Sequence, residues 1–266
     1  MKNFFLLFTP PVLIIFFKSI YLKLKSINNI SIINDYNDIE LTRMVIKKNL
    51  IFKTNLDLNK TIDLAALRSV FGLCLSLVGN KKKLTVLDFG GGGGYHYFLS
   101  KFIFNQEFDW NVVETKNMVS EAKKHINNKE LFFYESIEKA IDGNKKFDLF
   151  FASSSFQYCD NQNEILDHIL NLEPQYLFFT KTPFSKDEEV IGELQLSKFS
   201  DNGPGPLPIG YNDFVISYPI FIMNFNSFIS KLKIKYELKF QINEESNGFK
   251  IKENLYNSYG FLFVLK

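Results

Sequence analysis

The sequence predicts an α/β fold built on a mostly parallel sheet covered on both faces. Three observations predict it. Short, nearly continuous apolar runs alternate with helix-like stretches from residue 84 to residue 181, the pattern of strands buried on both faces. The first of these runs ends in five consecutive glycines that lead straight into a helix-like stretch. The chain closes on two apolar runs with no helix between them, which reads as an antiparallel pair.

Each element follows from its local pattern. Residues 61–79, "TIDLAALRSVFGLCLSLVG", read as a helix that Thr61 or Asp63 caps and Gly79 ends. "LTVLDF" (84–89) is a strand, and "YHYFLSKFIF" (95–104), after the glycines, is a helix. "WNVVE" (110–114) is a strand, "MVSEAKKHI" (118–126) a helix, and "ELFFY" (130–134) and "FDLFFAS" (147–153) are strands. The helix "NEILDHILNL" (163–172) leads to the strand "YLFFTK" (176–181). The Pro/Gly-rich stretch "SKFSDNGPGPLPIGYNDFVISYP" (197–219) then reads as a long irregular insertion, a kind of loop that is usually functional or mobile. A helix, "NSFISKLKI" (226–234), starts at Asn226 or Ser227, and "YELKFQI" (236–242) and "YGFLFVL" (259–265) are the closing strands. Residues 26–60 are polar, rich in Asn, Lys and Ile, and show no clear period. The expected organisation is a partly helical N-terminal extension, 1–80, and a main domain, 81–266.

Composition narrows the function classes. With 46% hydrophobic and 23% charged residues in 266, the chain is too apolar to be disordered. A net charge of +2 gives no general electrostatic case for nucleic acid. The 30 Phe and 12 Tyr must mostly build core. His96, His125 and His168 lie far apart and the two cysteines form no CxxC, so no metal-ligand spacing exists. Cys74 sits in an apolar stretch and is expected to be a buried inert thiol; no disulfide framework is indicated.

The first residues are apolar and aromatic. The run from Phe4 to Phe17 is short for a membrane span, which needs about 20 residues, and Pro10-Pro11 breaks it. No small-residue cleavage site follows, so a secretory signal peptide fits poorly. The expected role of residues 1–25 is a helix packed on the domain or on a partner chain. Peripheral contact with a membrane surface is the alternative, with Lys18, Lys23 and Lys25 towards anionic headgroups.

The glycine turn carries most of the functional signal. A flexible spacer would need polar flanks, and this run has a strand before it and a helix after it. The dinucleotide pattern G-x-G-x-x-G also fails, because counting from Gly90, Gly91 or Gly92 places its third glycine on Tyr95, His96 or Tyr97. What fits is D-x-G-x-G-x-G, formed by Asp88, Gly90, Gly92 and Gly94, with Gly91 and Gly93 as permissive extras. An adenosine-binding α/β site also wants a carboxylate at the end of the second strand, roughly 20 residues on, to accept the ribose hydroxyls. "WNVVE" ends in Glu114.

The D-x-G-x-G-x-G turn resembles the first motif of the class I methyltransferases that use S-adenosylmethionine. The run of "VLDFGGGGGYHYF", "WNVVE", "FASSSFQYCDN", "YLFFTKTPF" and "SYPIFIMNFNSF" is similar, in order, to a methyltransferase family associated with bacterial surface-polysaccharide gene clusters. "TPP" at Thr9 to Pro11 resembles that family's N-terminus. The turn departs from the family in one respect, since a larger residue often replaces one of its middle glycines. The resemblance implies a Rossmann-like class I methyltransferase fold: a mostly parallel seven-stranded sheet with a terminal antiparallel strand, plus the N-terminal helical extension. It implies S-adenosylmethionine as cofactor and a small-molecule or glycan acceptor, in a cytoplasmic setting or at the inner membrane face. Asp88, Gly90, Gly92, Gly94 and Glu114 are then the expected cofactor contacts, with Glu135, Ser136 and Ser153 beside them.

A sulfonium methyl is already activated, so its transfer depends mainly on alignment. A hydroxyl acceptor benefits from a general base. His96, at the start of the helix after the turn, is the candidate base, with a structural bond to the glycine loop as its other reading. Tyr158 is the second catalytic candidate. Gln157, Lys181 and Tyr218 are candidate acceptor contacts, with Thr182 beside them at the rim. "SYPIFIMN" (217–224) is expected to be part of the acceptor pocket or a lid. Two rival readings remain: a non-catalytic cofactor-binding partner in a polysaccharide assembly complex, and a methyltransferase acting on lipid or protein at a membrane surface.

Overall fold

The structure, a computed structural model, describes residues 30–32, 36–60, 62, 66, 71, 82–104, 106–141, 145–251 and 254–266. The N-terminal segment 1–25, Thr9 to Pro11 within it, and most of the helix expected over 61–79, Cys74 included, lie outside the described residues.

Seven strands form the main sheet. They are β2 (Lys83–Phe89), β3 (Glu107–Val113), β4 (Leu131–Tyr134), β5 (Leu149–Ser153), β6 (Tyr176–Pro183), β9 (Tyr236–Ile251) and β10 (Asn254–Leu265). Their order is β4-β3-β2-β5-β6-β10-β9. Every neighbouring pair is parallel except those of β10, which runs antiparallel to both β6 and β9. This is the mostly parallel seven-stranded sheet expected from the sequence, with its one reversed strand near the end.

Two helix layers cover the sheet. On one face α1 (Ile39–Asn59), α2 (Tyr95–Ile103) and α3 (Lys116–His125) bury Met44, Leu99 and Met118 against Val86, Val112, Phe151 and Phe178. On the other, α4 (Ile137–Ala140), α5 (Gln162–Leu172) and α6 (Phe225–Leu232) pack against Leu87, Phe150, Phe179 and Phe261. Strand residues alternate between these two cores, which is why each strand reads as a continuous apolar run. Among the described residues most phenylalanines are core: Phe151 and Phe178 stack with ring centroids 5.7 Å apart, and Phe179 meets Phe150, Phe156 and Phe228.

Two regions differ from the sequence reading. Residues 26–60, which show no period, contain the 21-residue helix α1. Asp38 caps it by accepting from the Leu41 N–H at 2.8 Å, and Lys60 ends it in a left-handed conformation. Its buried face carries polar residues as well as apolar ones. Lys48 is only 1% exposed, and its ammonium donates to the Ser200 and Asn202 carbonyls at 2.7 Å each. Burial pulls the Lys48 pKa down, against the opposing pull of Asp201 and Asp213. A face built from such specific long-range bonds has no hydrophobic periodicity to read.

The second difference is the insertion after β6. It is not irregular throughout. β7 (Val190–Lys198) leads into it, β8 (Val215–Ile222), antiparallel to β7, takes up its last residues, and β1 (Ile30–Ile32) joins β8 in parallel. Irregular chain is confined to the part between them, with a single 3₁₀ turn at Phe199–Asp201. "SYPIFIMN" is therefore mostly strand, with Tyr218, Ile220 and Ile222 buried. Among the described residues no helix is long and apolar enough to cross a membrane.

Phe179 tests the second core. Phe179→Ala removes a fully buried ring that three others contact, and should cost about 3–5 kcal/mol in urea unfolding. A loss below about 1 kcal/mol would contradict this packing.

Candidate functional site

The site lies where β2 and β3 end. β2 delivers Asp88, whose carboxylate is completely buried. Its Oδ2 accepts from the Trp110 indole Nε1 on β3 at 2.9 Å. The glycine turn then passes directly over this carboxylate. A Cβ added at Gly91 would lie 2.3 Å from Asp88 Oδ2. Gly91 is therefore a required glycine rather than a permissive one. Gly93 is also crowded, with Asn49 and Ile46 of α1 3.0 Å from where its Cβ would be. Gly90, Gly92 and Gly94 all have positive φ, at 71°, 57° and 84°. At Gly94, Leu131 would also meet a Cβ at 2.7 Å, so backbone conformation and space both demand glycine there.

Two neighbouring strands anchor the turn. The Gly90 N–H donates to the Val113 carbonyl at 2.9 Å. Glu114, just past β3, is the second anchor. Its Oε1 accepts from the Gly92 N–H at 3.0 Å and its Oε2 from the Thr115 N–H at 2.9 Å. Burial pushes the Glu114 pKa above the usual carboxylate value; the two N–H donors oppose this and the nearby Asp88 adds to it. From the other side, Ser155 donates its hydroxyl to the Phe89 carbonyl at 2.6 Å. A side chain at Gly90 would collide with Ser155 at 2.2 Å.

The other expected residues fall into three places. His96 is in the first turn of α2 and points down, not out. Its ring stands edge-on to Phe151 at 4.6 Å, and Nδ1 is 3.5 Å from Asp88 Oδ2. Glu135 is exposed and paired with Lys139, which lowers its pKa; Ser136 caps α4 by accepting from the Lys139 N–H at 3.3 Å. Both stand beside Glu114, whose N–H donates to the Tyr134 carbonyl.

Ser153 closes β5, and the segment after it turns back over the sheet edge. Gln157 is fully buried there. Tyr158 joins Tyr218 of β8 in a T-shaped contact at 5.2 Å. The Tyr158 hydroxyl donates to Gln195 at 3.3 Å and the Tyr218 hydroxyl to Ser197 at 2.8 Å. Burial raises the Tyr158 pKa well above the usual phenol value. Lys181, at the end of β6, has a φ of 52°, and Thr182 beside it is buried.

Sequence reasoning missed several members of this assembly. Tyr36 completes a three-ring cluster, 4.7 Å from Tyr158 and 4.8 Å from Tyr218. Its burial, more than its phenol neighbours, raises its pKa. Asn37 next to it accepts from the Asn117 N–H at 2.9 Å, at the start of α3. Nothing in the local spacing of residues 26–60 marks either residue. Trp110 and Ser155 lie inside quoted motifs, but their roles depend on what they face.

No protein-family model matches the chain, and no curated protein matches it in sequence. Solved structures do. The glycopeptide N-methyltransferase MtfA complexed with sinefungin is similar at 11% identity and a TM-score of 0.49, over 76% of this chain and 86% of that one. An S-adenosylmethionine-dependent methyltransferase from Clostridium acetobutylicum ATCC 824 is similar at 14% identity and a TM-score of 0.49, over 79% and 95%. A SAM-dependent methyltransferase from Aquifex aeolicus is similar at 17% identity and a TM-score of 0.43, over 76% and 94%.

Two measurements test the turn. Gly91→Ala should destabilise the protein by about 1–3 kcal/mol, because the carboxylate it strikes is itself held in place; unchanged denaturant stability would contradict the close approach. Glu114 tests the electrostatics. Because its folded pKa is raised, its contribution favours folding below the unfolded value and is lost as pH rises through the folded one. Glu114→Gln removes that titration. The stability difference, variant minus wild type, should therefore grow as pH rises from the usual carboxylate range through the raised folded value. A difference that stays flat would show that Glu114 titrates normally.

Proposed function

We propose that this chain is an S-adenosylmethionine-dependent methyltransferase acting on a small hydroxyl or amino acceptor, in the setting of sugar or glycan precursors. The observation that carries the reading is the hydrogen bond between the Gly92 N–H and the Glu114 carboxylate. It joins the glycine turn and the ribose-type carboxylate at the carboxyl ends of β2 and β3, the place where open α/β sheets bind ligands.

The residues present fit the cofactor. Side chains at Gly90, Gly91 or Gly94 would strike Ser155, Asp88 or Leu131, so the turn is held as bare backbone low over the strand ends. Each Glu114 oxygen accepts one backbone bond, which leaves it a second lone pair for a ribose hydroxyl. The Glu135–Ser136 corner stands beside Glu114 on the adenine side. Ser153 ends the strand that borders the turn. S-adenosylmethionine, when bound, supplies a methyl group on a sulfonium. The chain's own task is to bind it and to hold the acceptor in line with it.

Asp88 and His96 take supporting roles in this reading. Asp88 is sealed beneath Gly91, so it sets the height and shape of the turn. His96 faces Asp88 and Phe151, which favours its structural reading over that of a general base. Gln157 and Tyr158 follow β5 and Tyr218 packs on Tyr158; in this reading they form the acceptor side.

Calorimetry with S-adenosylhomocysteine tests the cofactor assignment. The wild type should bind it, and Glu114→Ala should weaken binding by about 1–3 kcal/mol, the value of a hydrogen bond to a charged group. Equal affinities would remove the ribose assignment. Transfer of labelled methyl from S-adenosylmethionine into sugar-nucleotide or amine pools tests catalysis; tight cofactor binding with no transfer to any pool would favour a non-catalytic module.

A further inference from the structure

Four described non-glycine residues adopt a left-handed backbone: Lys60, Ser154, Glu173 and Lys181. Lys60 and Glu173 end helices, where that conformation is ordinary. Ser154, at φ 54°, and Lys181, at φ 52°, do not end helices. They stand at the carboxyl ends of the adjacent strands β5 and β6. Lys181 falls where β6 and β10 shift register, between the Tyr259 and Phe261 pairings. Strain of this kind persists only where the surroundings impose it.

The two strained positions frame a hydrogen-bonded chain. The Gln157 Nε2 donates to Ser154 Oγ at 3.3 Å, and the Ser154 N–H donates to the Thr180 carbonyl at 3.0 Å. Thr180 Oγ1 in turn donates to Glu244 Oε1 at 2.8 Å. Glu244 comes from β9 and reaches across β10, where Ser258 is its register partner. Gln157 and Thr180 are fully buried and Glu244 is 2% exposed. Two atoms of this chain have no partner, Gln157 Oε1 and Glu244 Oε2. Both are acceptors. Withholding a donor from a buried carboxylate oxygen is costly, and the cost is recovered when a ligand brings one. A hydroxyl brings one donor and no charge. A protonated primary amine brings three donors and the opposite charge.

We propose that Glu244, aimed by Thr180, binds a cationic amine group of the acceptor. The inference rests on the methyl-transfer reading and narrows its hydroxyl-or-amino acceptor to an amine-bearing one. Glu244 is a binding residue here; the strained ends of β5 and β6 hold its partners in place.

The test uses n-butylamine hydrochloride as the probe, with 1-butanol and sodium butyrate as controls, on the full chain saturated with S-adenosylhomocysteine. At about ten times its dissociation constant the amine should raise the wild-type melting temperature by about 2–4 °C. Neither control should do so. Glu244→Gln keeps the acceptor for Thr180 and removes the charge; it should bind S-adenosylhomocysteine as the wild type does and lose the amine shift. Thr180→Val keeps the charge and removes the bond that aims it; it should reduce the shift, and it serves if Glu244→Gln does not fold. Amine shifts that are absent, matched by butanol, or equal in wild type and variants overturn the proposal. Failure of the wild type to bind S-adenosylhomocysteine overturns the methyl-transfer reading instead, and the same amine titration on the free protein still decides the Glu244 site.

Discussion

A buried carboxylate sets the geometry of this protein's site. Asp88 ends β2 in the interior, and one of its oxygens is held by the Trp110 indole on the neighbouring strand. A buried carboxyl group in that position needs partners of fixed geometry, and this bond ties the end of β2 to the middle of β3. The chain leaving β2 has no room to pass except as bare backbone against the carboxylate. Hence glycine at 91, and hence a turn that stays low over the sheet edge. His96 approaches the same carboxylate from the first turn of α2. Once the turn is at this height, its Gly92 N–H meets Glu114 at the end of β3.

Around this centre the enclosure is assembled from distant segments. α1 lies against Gly93 through Asn49 and Ile46, and through Lys48 it grips the carbonyls of the irregular stretch 200–202. The small sheet β1-β8-β7 brings Tyr218 to Tyr158, and the residues before α1 bring Tyr36 to both. Asn37 fixes that approach by pairing with the start of α3. The walls of the site thus depend on the N-terminal region and on the insertion after β6, while its floor belongs to the central sheet.

The parts of this arrangement that can be read from the sequence share a local cause. Strands buried on both faces must be apolar at nearly every position, so "FDLFFAS" and "YLFFTK" announce themselves. The alternate glycines of the turn follow from backbone sign, since Gly90, Gly92 and Gly94 occupy positive φ. α1 escaped because three of its buried side chains are Thr42, Lys48 and Asn49. β7 and β8 escaped because Gly and Pro residues between them dominate the pattern, although β8 itself is an apolar run.

The sequence by itself determined the seven strands of the main sheet, the closing strand pair, and the placement of Asp88, the glycines and Glu114 at strand ends. Each of these is a consequence of burial or backbone conformation within a few residues. Only the tertiary structure decided what those groups face: that Gly91 lies on a carboxylate, that His96 points into the floor, and that Tyr36, Tyr158 and Tyr218 meet. The same holds for Glu244, which finds Thr180 from 64 residues away. A hydrogen bond or ring contact between distant residues leaves no periodicity in either segment, because each side chain satisfies its partner and not its neighbours in the chain.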